Sequence, residues 1–202
     1  GKTSTIGALV NSLGKAGKNT VLLAPTGRAA KVISHYSQKK ALTIHKKIYF
    51  PKKQSNGSVD FTLQINKHKS TIFIVDEASM ISDGVHNSKL FEKVSLLNDL
   101  VKYVYSGTNC HLIFIGDTAQ LPPVKLTVSP ALKADTLTYE YHKNVTEIEL
   151  DDVMRQHKNS GILTNATYLR MFLENQNLNF KFHLNFPDII RLEDGYEIED
   201  AI

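Results

Sequence analysis

Asp76 and Glu77 follow the apolar, β-branched run Thr71–Val75, and further along Asp117 and Gln120 follow a second such run, residues 112–115. Each run is too short for a helix and reads as a buried strand. An open parallel sheet keeps its ligand outside the carboxyl ends of its strands, so these four side chains stand where a ligand would be met. One carboxylate there can hold a magnesium ion, and a second can orient and deprotonate a water molecule. The Gln120 amide can accept from a water and donate to a phosphate oxygen, which lets it register a γ-phosphate. Pro122 and Pro123 stiffen the exit from this turn. Taken alone, the first segment reads equally as a strand with a solvated acidic turn, and the second as a Pro-terminated loop with a surface glutamine.

Gly1-Lys2-Thr3 reads as the tail of a phosphate-binding loop. In such a loop Lys2 reaches the β- and γ-phosphates, Thr3 places its hydroxyl on magnesium, and the helix that follows points its amide dipoles at the phosphates. The stripe Ile6, Leu9, Val10, Leu13 gives that helix one apolar face. The front of the loop and the strand before it are not in the chain, so we expect a trimmed chain with weak ATP affinity of its own.

The elements that must position these residues are readable in outline. Residues 21–24 form a strand, Pro25-Thr26-Gly27 turns it into a helix near Arg28, and Thr26 is a suitable N-cap. The amides of Gly27, Arg28 and Ala29 then stay free to take a phosphate. Residues 48–50 and 61–65 flank an Asn-Gly tip and read as a hairpin inserted at 46–70. Apolar spacing predicts a helix over 87–105, a strand over 147–150, and a helix over 161–173 that packs Ile162, Leu163, Leu169, Met171 and Phe172. Strands alternating with helices give an α/β fold with a mostly parallel sheet and helices on both faces.

The 202 residues suit one α/β domain with a sizeable core, and 42% hydrophobic content is ordinary for a globular chain. No stretch approaches the roughly 18 apolar residues of a membrane span. The single cysteine, Cys110, excludes an internal disulfide and suits a reducing, cytoplasmic setting. Charge is unevenly distributed. Residues 1–70 hold 12 lysines and Arg28 against Asp60 alone, whereas residues 71–202 hold 11 basic and 19 acidic side chains. Such a basic third fits a polyanion partner, although a solvated lysine-rich face has the same composition.

The series Gly1-Lys2-Thr3, Ala24-Pro-Thr-Gly-Arg-Ala-Ala-Lys31, Thr43-Ile-His45, Val75-Asp-Glu-Ala-Ser-Met80, Gly116-Asp-Thr-Ala-Gln-Leu-Pro-Pro-Val124 and Arg155-Gln156 resembles the first motor domain of RecD-like helicases. These belong to the 5′-to-3′ branch of superfamily 1, which includes the exodeoxyribonuclease V alpha subunit. The resemblance implies a RecA-like P-loop NTPase domain over 1–175, with 176–202 as an extension or linker toward a second motor domain. It implies ATP and Mg2+ as cofactors, held by Gly1, Lys2, Thr3 and Asp76, with Thr3 and Asp76 on the metal. Glu77 would activate water, Gln120 would sense the γ-phosphate, and Arg155 would offset charge developing in phosphoryl transfer. Without the family, Arg155 reads as half of a local salt bridge with the neighbouring aspartates.

The same resemblance puts Thr26, Gly27, Arg28 and Ala29 on single-stranded DNA, with Thr43 and His45 as further backbone contacts. It makes the hairpin a duplex-splitting pin in which Tyr49 or Phe50 stacks on a base, though a decorative lysine-rich hairpin fits the same residues. Implied partners are single-stranded DNA, duplex junctions and nuclease or recombination subunits, with no membrane, in the bacterial cytoplasm at the nucleoid. Two other readings stay open: a related motor acting on RNA or fused to a relaxase, and a non-catalytic DNA-binding module with a vestigial nucleotide site.

Overall fold

The computed structural model describes residues 2–53, 59–83, 95–150, 160–174 and 180–192. In chain order these form α1 (Lys2–Lys15), β1 (Asn19–Ala24), α2 (Gly27–Ser37), β2 (Ala41–Thr43), α3 (Ile44–Ile48), β3 (Tyr49–Lys53), β4 (Val59–Leu63), β5 (Thr71–Val75), α4 (Leu96–Tyr105), β6 (His111–Phe114) and α5 (Gly161–Glu174). The chain divides into two compact units, residues 2–149 and 150–202.

In the first unit, β2, β1, β5 and β6 lie side by side in that order, and all three pairings are parallel. The β-branched run of β5 is buried on both faces, which is why it carries no polar alternation. Leu22 and Ile74 turn to one face and pack with Ile6 and Val10 of α1 and Ile33 of α2. Leu23, Phe73 and Val75 turn to the other and pack with Ile44 and Ile48 of α3 and with Leu97, Leu100, Val101 and Val104 of α4. The sheet is therefore covered by helices on both sides, as the alternation of elements leads one to expect. No helix among the described residues is long and apolar enough to cross a membrane.

The inserted hairpin is present as β3 paired antiparallel with β4, its tip lying outside the described residues. It begins one residue later than expected, because Ile48 is the buried last residue of α3. Tyr49 is only 5% exposed and its hydroxyl donates to Asp99 Oδ2 at 2.9 Å. A base-stacking role for Tyr49 is thus corrected: its ring belongs to the core, and burial and the Asp99 hydrogen bond both push its pKa well up. Phe50 points the other way, as strand alternation demands, and is 60% exposed.

Two further expectations change, for residues 147–150 and for the face of α5. Residues 147–150 form no strand, and Ile148 is 80% exposed; a β-rich tetrapeptide that is not docked on a sheet edge stays irregular. Of the helix expected over 87–105, the part before Ser95 lies outside the described residues, and α4 is capped by the Ser95 hydroxyl, which accepts from the Asn98 amide. By compactness the chain divides at 149/150, and α5 is tied to the segment after it. Asp188 accepts from Ser160 Oγ at 2.6 Å and from the Gly161 amide at 2.8 Å, and the Asn165 amide group donates to His183 O at 2.8 Å. Ile162, Leu169 and Met171 are exposed, so the packing face expected for α5 is not the buried one. At Gly161 a Cβ would lie 2.5 Å from Phe186 Cβ, so only glycine admits this approach.

The hairpin offers a direct stability test. Tyr49→Phe strands the Asp99 carboxylate and is expected to cost about 1 kcal/mol in urea unfolding. Phe50→Ala, on the exposed face, is expected to stay within roughly 0.5 kcal/mol of the parent.

Candidate active site

Sheet order fixes where a ligand can sit. The chain leaves β1 toward β2 on one side, and β5 joins β1 on the other, so the topological switch lies between β1 and β5 at their carboxyl ends. Four segments emerge in a row along that edge: Thr43 with His45, Thr26 to Ala29, Asp76 with Glu77, and Asp117 with Gln120.

Asp76 lies at the switch. Its amide donates to Leu23 O at 3.0 Å, extending the β1–β5 ladder by one step, and its Oδ1 accepts from the Glu77 amide at 2.9 Å. The residue is 5% exposed, and that burial raises its carboxyl pKa, while the Glu77 amide and Lys2 pull the other way. Glu77 sits in the left-handed region at φ 53, ψ 40, an arrangement that costs a non-glycine residue on the order of 1 kcal/mol. The Ala78 amide, donating to Ile115 O at 2.9 Å, pins the chain immediately after it.

The left-handed turn aims Glu77 at Lys2, whose Nζ is 3.9 Å from Glu77 Oε2. Gln120 completes the cluster. With its amide oxygen turned to Lys2, it accepts from Lys2 Nζ at 3.2 Å, donates to Glu77 Oε2 at 2.8 Å and donates to Ser79 Oγ at 3.2 Å. This orientation gives every group a complementary partner. Asp117 serves the turn: its Oδ1 accepts from the Ala119 amide at 3.0 Å and its carbonyl accepts from the Gln120 amide at 3.1 Å. The turn can press this close because residue 116 is glycine, where a Cβ would lie 2.6 Å from Leu132 and 3.1 Å from the Ser79 amide.

The structure thus brings Lys2, Asp76, Glu77 and Gln120 to one place. Gly1, Arg155, Gln156 and the side chain of Thr3 lie outside the described residues. From the sequence Ser79 has no role, and Gly116 only opens the turn before Asp117. The signal for both was adjacency, one two positions after Glu77 and the other just before Asp117.

The donor set suits magnesium more than a softer ion. It offers carboxylate oxygens at a strand tip, and among the described residues no group of three or more His, Cys, Asp or Glu side chains could cage a metal unaided. Magnesium is ordinarily held in this way, by one or two carboxylates together with substrate phosphates and water. Burial of Asp76 leaves a carboxylate whose negative charge calls for a cation.

Toward the other end of the same edge, Thr26 caps α2, its Oγ1 accepting from the Ala29 amide at 3.2 Å. That corrects the expectation of a free Ala29 amide and leaves Gly27 and Arg28 at the open end of the helix. Gly27 has open space where a Cβ would be. Thr43 is level with Ala24 in the parallel register and caps α3 by accepting from the Lys46 amide at 3.2 Å. His45 is half-buried, its ring 5.8 Å from that of Tyr49.

Comparison with known proteins adds an independent line. An AAA domain family matches residues 1–126. The chain is 31% identical over 173 residues to the ATP-dependent DNA helicase dda of Enterobacteria phage T4, covering 84% of this chain and 35% of that protein. It is 26% identical over 214 residues to an uncharacterized protein of Acanthamoeba polyphaga mimivirus, covering 94% of this chain and 38% of that one. The chain therefore spans little more than a third of the length of these curated relatives. A crystal structure of Bacteroides Pif1 bound to ssDNA aligns with a TM-score of 0.37 at 24% identity, covering 62% of this chain and 28% of that one.

The raised pKa of Asp76 gives a signed prediction. Stability from a carboxyl of this kind is present in full below the unfolded pKa of about 3.9 and is lost as pH rises through the folded value. Asp76→Asn removes the penalty of the ionised form. The ligand-free variant is expected to melt above the parent at pH 8, with the difference shrinking as pH falls toward about 4, and to lose the stabilisation that magnesium-ATP gives the parent.

Proposed function

The chain belongs to the AAA domain family, and on that premise we propose that it is part of the first motor domain of an ATP-dependent DNA helicase. The observation that carries the proposal is the convergence of Lys2, Glu77 and Gln120 beside the buried Asp76 at the switch point of a parallel sheet. The helicase named among its relatives supports the substrate class. Assignment to the RecD-like branch of superfamily 1, and hence 5′-to-3′ movement, rests on the motif series and its order.

In this reading Lys2 binds the β- and γ-phosphates, and Gly1 and the amides at the start of α1 cradle them. Asp76 and Thr3 would hold a magnesium ion, which when bound would neutralise phosphate charge. Glu77, aimed into the site by its left-handed backbone, orients the attacking water and takes its proton. Lys2 is bound in the ligand-free site by both Glu77 and Gln120. Incoming phosphates compete for its ammonium group, release both partners, and leave the Gln120 amide to report whether a γ-phosphate is present. Arg155 supplies a cation to the transferring phosphoryl group.

Single-stranded DNA lies along the other part of the carboxyl edge, against Gly27, Arg28, Thr26 and Thr43, with His45 and Ala29 behind them. Because both ligands share one edge, β1 and β5 connect them rigidly. Duplex junctions, nuclease or recombination subunits, and a reducing, nucleoid-associated location complete the proposal.

The test is ATP hydrolysis by the full-length protein with and without single-stranded DNA. DNA is expected to stimulate turnover, and Glu77→Gln is expected to lower it by at least about 100-fold while ATP still binds. A protein that binds DNA and never hydrolyses ATP is instead a binding module.

A further inference from the structure

Parallel strands begin together as well as end together. At the amino ends of β1, β2 and β5, on the edge opposite the carboxylates, stand Lys18, Lys39, Lys40, Lys67 and Lys69, all exposed. An open groove of about 450 Å³ runs there, lined by Asn19, Thr20, Lys67, His68 and Lys69 among others. Lys39 Nζ donates to Thr20 Oγ1 at 2.5 Å, which ties the α2–β2 connection to the groove. None of the five lysines makes an ion pair among the described residues.

Two features set this edge apart from an ordinary solvated face. First, the lysines exceed what local electrostatics requires. The carboxyl ends of α1, α2 and α4 reach this edge, and each carries a partial charge of roughly −0.5, about −1.5 in total, which two lysines would offset. Lys67 and Lys69 follow no helix at all. Second, their backbone is fixed in advance. Lys69 bridges to Thr108 and its carbonyl accepts from Thr71 Oγ1 at 2.8 Å; the Ser70 amide donates to Thr108 O at 2.8 Å. The His68 amide donates to Asn66 Oδ1 at 2.9 Å, and buried Asn66 donates onward to Val104 O at 3.0 Å. Cations held on a fixed backbone lose less freedom on binding a ligand with regular charge spacing.

No Phe, Tyr or Trp lines the groove, and the one aromatic ring there, His68, is engaged edge-to-face with buried Phe73 at 5.3 Å, so base stacking, which favours single strands, contributes little. What remains is phosphate recognition by spaced cations, suited to the stiff and regular backbone of a duplex. We propose that the amino edge of the sheet is a second nucleic-acid surface, which takes the sugar–phosphate backbone of duplex DNA apart from the contacts at Thr26, Gly27, Arg28 and Thr43. The proposal does not depend on the helicase reading.

The test measures binding of a labelled blunt DNA duplex to the full-length protein across a salt series. Lys18→Gln, Lys67→Gln and Lys69→Gln together are expected to weaken binding by tenfold or more, and to flatten the salt slope by about 2 to 3, at roughly 0.9 per lost phosphate contact. A control that removes Lys125 and Lys133, exposed residues that follow the carboxyl end of β6, is expected to change the slope by less than about 1. Equal losses per lysine in the two variants, or parental affinity and slope in the first, overturn the proposal. So does binding to phosphatidylserine vesicles without binding to duplex. Stimulation of ATP hydrolysis by single-stranded DNA is expected to survive the first variant, so failure here is distinguishable from failure of the motor assignment.

Discussion

The site depends on the position of β5 between β1 and β6 in parallel register. Because Val75 is level with Leu23 and Phe114, the next residue has nowhere to go but the switch point. The Asp76 amide closes one more rung on β1, and the carboxylate is buried as a consequence of that rung. Burying an acid is unfavourable in isolation. It is tolerated because the Glu77 amide supplies a hydrogen bond and the Lys2 ammonium lies nearby. Strain in Glu77 follows from the same geometry: the chain must turn sharply to give its carbonyl and amide groups partners while its side chain faces Lys2. An unfavourable carboxylate beside an unfavourable backbone angle, both held by a well-packed sheet, is the pattern of a functional site rather than a stabilising one.

Polarity of the sheet organises the charges as well as the elements. The carboxyl edge carries Asp76, Glu77 and Asp117 together with Lys2, Arg28 and the open amino ends of α1 and α2; the amino edge carries a row of lysines and the helices' carboxyl ends. Both rims are composed of residues far apart in the chain, since every βα step reverses direction and returns to the same pair of edges.

Much of this was legible in the residues. The bounds of β5 were read directly because a β-branched run between polar neighbours has few other uses. The Thr26 cap was legible because a cap is local chemistry, settled within three residues. The unread parts were those decided by distant partners. Tyr49 and Phe50 are both plausible stackers in sequence, and only the docking of the hairpin on α4 through Asp99 buries the first. Residues 147–150 have strand composition but pair with neither edge of the described sheet. The face of α5 is chosen by His183 and Asp188, nine and fourteen residues after the helix ends, and helical periodicity alone does not reveal it. Ser79 and Gly116 matter through one close approach between two loops.

The most direct test of the central claim, that the carboxyl edge around Lys2, Asp76, Glu77 and Gln120 holds the nucleotide, is hydrogen–deuterium exchange on the full-length protein with and without magnesium-ATP. The account predicts slowed exchange at residues 76–80 and 116–121 and at the start of α1, with the amino edge at 67–71 unchanged. Protection confined to the amino edge, or none at 76–80 under conditions where ATP is bound, would contradict it.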